Sequence, residues 1–284
     1  MRAKLYIVTY DNPRDLDETL ASVFASEWHG HHLDVTVVSN HSRLEVRPDF
    51  RRMVYVIDNQ ARPDFSTGHL ARSWNQCLVH GFRSLTAPDT DFVVTAQNDT
   101  LFDPRWFHRL VELHKTYSFV TAGAGDNFCS YLPDAVRAIG LWDERYCGIG
   151  YQEADYFLRA YLDNHERSSV NDYAHGRVLN PYGGAPLARR LHPPGQFDEH
   201  HLRSTKHHAL CRNLFMRKWG PDLMPEEWRG FLSGPLPGRR SKLENYLYYP
   251  YFELDVHDLA GKNYFCDTAG VPFFNPAPPA APAE

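Results

Sequence analysis

Four short apolar runs in the first hundred residues each end in amide, hydroxyl or carboxylate side chains, and this recurrence constrains the fold more than anything else in the chain. The runs are Lys4 to Thr9, Asp34 to Asn40, Met53 to Asn59 and Phe92 to Ala96. Each is of strand length and rich in β-branched or aromatic residues, the pattern of strands buried on both faces. Between them lie segments of helical spacing. Asp15 to Ser26 puts Leu16, Leu20, Val23 and Phe24 on one face, and Thr67 to His80 turns Leu70, Trp74, Cys77 and Leu78 inward. Strands alternating with helices predict a parallel sheet, whose right-handed crossovers bring the polar tips to one edge. That edge is where open α/β sheets bind ligands.

The stretch Asp91 to Trp106 is the centre of this pattern. Its strand runs into Gln97, Asn98 and Asp99, and Pro104 is expected to open the following helix, where a missing N–H costs nothing. A carboxylate flanked by amides at a strand end is a foothold for Mg²⁺ or Mn²⁺ carrying a diphosphate, because hard cations take oxygen ligands. The same residues also make an ordinary polar turn in which Asp99 only caps.

Further on, Phe119 to Tyr131 predicts a strand, a Gly-rich bend and a second short strand, and its Gly-x-Gly is too weak for a dinucleotide site. A helix starts near Gln152, with Glu153 in its first turn, where the positive helix end favours a carboxylate. Asp155 lies about 200° further round, so the two are not expected to share a proton. Val170 to His175 predicts a last strand, and Pro181 to Gly195 reads as loop. The histidines that follow, His192, His200, His201, His207 and His208, form no H-E-x-x-H. Lys206 to Trp219 reads as a helix stopped by Gly220-Pro221. Residues 1–220 are expected to form one domain and 221–284 an aromatic-rich extension ending in a disordered Pro/Ala tail.

Composition narrows the function classes. At 284 residues the chain can bury a full core, and its net charge of −5 gives no global case for nucleic acid. Five scattered cysteines with no C-x-x-C argue against a disulfide framework or structural zinc and for a reducing compartment. The apolar run at the start is too short for a signal peptide, and none reaches the roughly 18 residues of a membrane span. The chain is expected to be cytoplasmic, and the Asn40-His-Ser42 and Asn98-Asp-Thr100 sequons coincidental.

Together these residues resemble a glycosyltransferase of the GT-A fold, similar to the large family 2 group, over roughly residues 3–220. Leu5 to Tyr10 resembles the family's opening strand and turn, and Gly68, Arg72 and Asn75 its glycine, arginine and asparagine pattern. Gln97-Asn-Asp99 resembles its metal motif. Gly140-Leu-Trp-Asp-Glu144, then Tyr151-Gln-Glu-Ala-Asp155 with Arg159, resembles its acidic helix motif, and Lys218-Trp-Gly220 a motif after the catalytic core. The departures are Gln152 and Gln97, which stand where the family carries acids.

The resemblance implies a mixed α/β sheet flanked by helices and an inverting, metal-assisted transfer from a nucleotide diphosphate sugar to the hydroxyl of a glycan or other acceptor. It assigns Glu153 as general base and Asp155 as a second catalytic carboxylate. Thr9, Tyr10, Asn12, Asn40, Arg72 and Asn98 would bind the donor, Asp99 with His175 would hold Mn²⁺ or Mg²⁺, and Asp143 with Trp142 would meet the acceptor.

Three rivals stand beside this reading. A noncatalytic nucleotide- or sugar-binding module of the same fold is favoured by Gln152 and the thin metal motif. A nucleotidyltransferase would need a glycine in the phosphate loop, and Thr9 to Asp15 has none. A glycosyltransferase acting on modified DNA bases would use Arg51-Arg52, Arg189-Arg190 and Arg239-Arg240, pairs that solvated loops also carry.

Overall fold

The computed structural model describes residues 1–10, 12–40, 44, 46–59, 70–122, 125–146, 150–168, 178–179, 187–192 and 208–220. The chain begins β1 (Arg2–Thr9), α1 (Pro13–Phe24), β2 (His32–Ser39), α2 (Pro48–Arg51), β3 (Tyr55–Asp58) and α3 (Leu70–Phe82). The middle contains β4 (Phe92–Gln97), β5 (Thr100–Phe102), α4 (Trp106–Leu113), β6 (Phe119–Ala122), β7 (Phe128–Tyr131) and α5 (Pro133–Ile139). Next come α6 (Tyr151–Ser168), β8 (Val178–Leu179), β9 (Ala188–Arg190) and α7 (His208–Trp219). Gly68, His175, the expected strand 170–175 and the extension 221–284 lie outside the described residues.

Seven of the described strands form one sheet in the order β3-β2-β1-β4-β7-β6-β8. The first four run parallel, as the alternation predicts. The sheet is nevertheless mixed, because the bend after β6 returns β7 antiparallel to both β6 and β4. Residues of β1 alternate between the faces. Leu5 and Ile7 pack with Leu16, Leu20 and Val23 of α1 and with Trp106, Phe107 and Leu110 of α4. Tyr6 and Val8 pack with Trp74 and Leu78 of α3, Val136 of α5 and Tyr156 of α6. A strand covered on both sides has no polar face, which is why its sequence is one apolar run. Gly81 lets α3 lie close to β4: a Cβ there would stand 2.5 Å from Val93 Cγ2.

Helix α1 starts two residues earlier than its periodicity suggests, since Asn12 caps it, its Oδ1 accepting from the Asp15 N–H at 3.3 Å, and Pro13 fits the first turn. Pro104, by contrast, does not open α4. It lies in the preceding turn, where its carbonyl accepts from the Glu27 N–H at 2.8 Å. The strand tip does not run straight into that helix either. Thr100 to Phe102 forms β5, which pairs antiparallel with β9, a strand inside the segment that reads as loop. Three residues are too few to show a period, and their partner is about ninety residues away, so the pairing is decided by tertiary contact.

Candidate active site

The register of the parallel strands sets the polar tips side by side, with Thr9 opposite Ser39 and Val8 opposite Gln97. At this edge Asn98 is held from several directions. Its N–H donates to Val8 O at 3.1 Å, its carbonyl accepts from Thr19 Oγ1 at 2.6 Å, and its Nδ2 reaches Asn12 O at 3.3 Å. Asn40 is tied by its amide to Ser73 Oγ at 3.0 Å and accepts from Asn59 Nδ2 at 3.0 Å. Thr9, Asn12, Asn40 and Asn98 therefore share one edge of the sheet, and half-buried Tyr10 follows Thr9 there.

Asp99 stands beside them with both carboxylate oxygens engaged. Asn127 Nδ2 donates to Oδ1 at 2.8 Å and Arg190 Nε to Oδ2 at 3.2 Å. The contacts continue inward through Gln97, whose Nε2 donates to Asp126 Oδ1 at 2.7 Å, while Trp74 Nε1 donates to Asp126 Oδ2 at 2.7 Å. Asp126 in turn hydrogen-bonds Glu153 from the first turn of α6. Five elements thus converge: the ends of β4 and β9, the residues leading into β7, the inner face of α3 and the first turn of α6.

Electrostatically the Asp126 and Glu153 carboxyls behave as a pair. Burial pushes Asp126 up from the ordinary carboxylate range, opposed by its hydrogen bonds from Trp74 and Glu153. Glu153 is pushed up much further, by burial first and by the neighbouring Asp126 charge second, against a hydrogen bond from the Asp126 backbone N–H. With Trp74 and Gln97 already donating to the oxygens of Asp126, Glu153 is the member that holds a proton more tightly. Glu153 keeps part of its surface open, whereas Asp126 is buried. Gly125 makes room for this contact. It has φ +62°, and a Cβ there would fall 2.5 Å from Glu153 Oε2.

Other predicted site residues lie elsewhere. Asp155 is fully buried between Lys218 Nζ at 2.7 Å, Arg159 Nε at 3.0 Å and Trp219 Nε1 at 2.9 Å. Asp143 is equally buried, meeting Lys218 Nζ at 3.0 Å and Arg145 Nε at 2.8 Å. Burial pushes its carboxyl up, but Lys218 and Arg145 outweigh that and hold it well below the usual carboxylate range. Trp142 is buried as well, stacked on Tyr156 at 4.4 Å between ring centroids with its Nε1 donating to Tyr131 Oη at 3.2 Å. These three residues join α6, α7 and the loop after α5, closed off from an incoming acceptor. Arg72 is exposed on α3, and no described contact links it to Asp99 or Glu153. The Asn75 amide of the same motif turns inward, its Nδ2 donating to Trp142 O at 2.8 Å and Glu144 Oε1 at 2.9 Å.

The sequence reading missed Asp126, Arg190 and Trp74 as site residues. Asp126 had a signal, a carboxylate directly after a glycine in the bend between two short strands. Arg190 appeared only as half of a basic pair, and Trp74 as a core residue.

The described surroundings of Asp99 do not make a cation site. Its oxygens already accept from an amide and a guanidinium, and among the described residues, which leave out His175, no group of three His, Cys, Asp or Glu side chains converges on a metal position.

No protein-family model matches the sequence, and no curated protein matches it. Solved structures do. The mannosyltransferase PcManGT from Pyrobaculum calidifontis, in complex with GDP-Man and Mn²⁺, matches with TM-score 0.50 at 13% identity, covering 81% of this chain and 68% of that one. TarS from S. aureus matches with TM-score 0.48 at 12% identity over 70% of this chain, which spans only 38% of TarS. A 1–349 form of TarS in complex with UDP gives TM-score 0.48 at 12% identity, covering 66% of this chain and 60% of that one. The parallel β3-β2-β1-β4 half, the reversed β7 and the helices on both faces are those of the GT-A glycosyltransferase fold.

Proposed function

We propose that this chain is an inverting glycosyltransferase, binding a nucleoside diphosphate sugar along the polar strand tips and using Glu153 to take the proton of an acceptor hydroxyl. The observation that carries the reading is the continuous contact from Asp99 through Arg190, Gln97 and Asp126 to Glu153, which joins the polar strand tips to a half-buried acid. Thr9, Tyr10, Asn12, Asn40 and Asn98 line the nucleoside end. A single displacement needs one base on the acceptor side and a leaving group stabilised on the other, and it inverts the anomeric carbon. A positioned base contributes about 10² to 10⁴ in rate. The similarity to a structure that contains GDP-Man supports the donor class. No metal step enters, because the donor set on Asp99 does not fit one.

Glu153→Gln is the direct test. The amide can still donate to Asp126 as the protonated acid does, so the fold and the donor corner are kept while the base is lost. Transfer is expected to fall by about 10² to 10⁴ with donor affinity unchanged in calorimetric titration. Full activity in this variant would refute the assignment. The resting proton on Glu153 favours one other reading, a noncatalytic binding module. Donor binding with no transfer or donor hydrolysis at any pH would establish that instead.

A further inference from the structure

We infer that the Arg190 guanidinium takes the place of a divalent cation at the donor diphosphate, so that Asp99 serves to hold an arginine rather than a metal. This rests on the donor reading above and goes beyond it by naming the group that meets the leaving charge.

Arg190 is fixed at backbone and side chain alike. It pairs with Thr100 in the β5–β9 ladder, and the next N–H, that of Leu191, donates to Asp99 O at 2.6 Å. Its Nε then donates to Asp99 Oδ2 at 3.2 Å, and its Nη2 lies at the 3.5 Å limit from Gln97 Oε1. These contacts use the Nε side of the fork, the one to Gln97 is long, and Nη1 has no hydrogen bond among the described residues, so the outer edge can turn to a ligand. The side chain is 27% exposed, so it is anchored but open on one side. A planar guanidinium suits two phosphate oxygens at once, which a lysine does not. A metal ion entering here would have to share the Asp99 oxygens with the Arg190 guanidinium and the Asn127 amide. It would also bring its two positive charges next to a guanidinium with nowhere else described to go.

The transfer step then balances with residues of this chain. The bond from the anomeric carbon to the diphosphate oxygen breaks, and its electron pair leaves on the diphosphate. The acceptor oxygen forms the new bond to that carbon, and its proton passes to ionised Glu153. The charge added to the diphosphate meets Arg190.

The test is calorimetric titration of GDP and of UDP into the full chain and into Arg190→Gln and Arg190→Lys, each in EDTA and in MnCl₂, with thermal melting to confirm folding. The parent is expected to bind one of the nucleotides with the same Kd in EDTA as in Mn²⁺. Arg190→Gln should weaken that binding in EDTA by about 10- to 100-fold, and Arg190→Lys by less. Binding by the parent only in Mn²⁺, or equal binding by parent and Arg190→Gln, would overturn the inference and leave the donor reading standing. Failure of the parent to bind either nucleotide under either condition would overturn the donor reading, and this inference with it. If Arg190→Gln does not fold, the Mn²⁺ dependence of the parent decides.

Discussion

Two pairs of carboxylates lie near the amino end and along the length of α6, and they have opposite electrostatic surroundings. Asp143 and Asp155 share Lys218 and are each held by a further guanidinium, Arg145 and Arg159, with all contacting side chains closed from solvent or nearly so. Among the described residues, Asp126 and Glu153 have each other, the Asp126 backbone N–H, the neutral N–H donors of Trp74 and Gln97, and the more distant Arg190 charge. One pair is neutralised, a tie between α6, α7 and the loop after α5. The other is under-compensated, with both carboxyls pushed up from their ordinary range and one member only half-buried. Proximity in sequence does not distinguish Glu153 from Asp155. The supply of positive charge does, and in the function proposed above the carboxyl short of it is the reactive one.

The largest effect should come from breaking the neutralised pair. Lys218→Met removes the cation common to Asp143 and Asp155 and leaves two buried carboxylates with one guanidinium each. Losing one partner of a buried ion pair costs about 3–5 kcal/mol, and the lower end applies because each carboxylate keeps an arginine. Denaturant unfolding should show a loss of about 3 kcal/mol. A loss within about 0.5 kcal/mol, the range of an ordinary surface substitution, would remove the distinction between the pairs.

An intermediate effect is expected at the other pair. Glu153 must be ionised to act as a base, so its raised pKa puts the acid limb of kcat/KM above the ordinary carboxylate range, with activity growing as pH rises. Asp126→Asn removes the neighbouring negative charge but leaves the burial, so the limb should move toward acid and still lie above pH 4.5, the usual Glu value. A limb that stays in place, or moves to higher pH, would show that the two carboxyls do not share a proton during turnover.

The strand tips were legible because burial on both faces writes an unbroken apolar run, and the end of such a run is a position in space as well as in sequence. Glu153 was legible for a similar reason, as the first-turn acid of a helix with a clear inner face. Arg190 was not, because a three-residue strand with a remote partner carries no periodic signal, and only pairing with β5 brings it to Asp99. The burial and pairing of Asp143 and Asp155 were not legible, because the motif gives their spacing but not the lysine that arrives from α7. The Lys-Trp-Gly motif was visible, yet nothing local indicates that Lys218 Nζ and Trp219 Nε1 both end on Asp155. Glycine at 125 reads as a bend, and its closeness to the Glu153 carboxylate becomes evident only once α6 is docked.

The smallest effect is the one that separates structure from catalysis within a single helix. Asp155→Asn keeps an oxygen for Trp219 Nε1 while removing the charge facing Lys218 and Arg159, so the variant should be less stable than the parent. Once folded, its Glu153, Asp126, Asp99 and Arg190 are undisturbed, since none of them contacts Asp155. At a temperature where circular dichroism shows it fully folded, kcat should equal that of the parent. Glu153→Gln should give the reverse, a folded chain of near-parental stability with transfer lost. If Asp155→Asn instead lowered kcat as far as Glu153→Gln does, the buried carboxylate would be acting on the reaction through the helix, and lack of compensating charge would no longer identify the reactive acid.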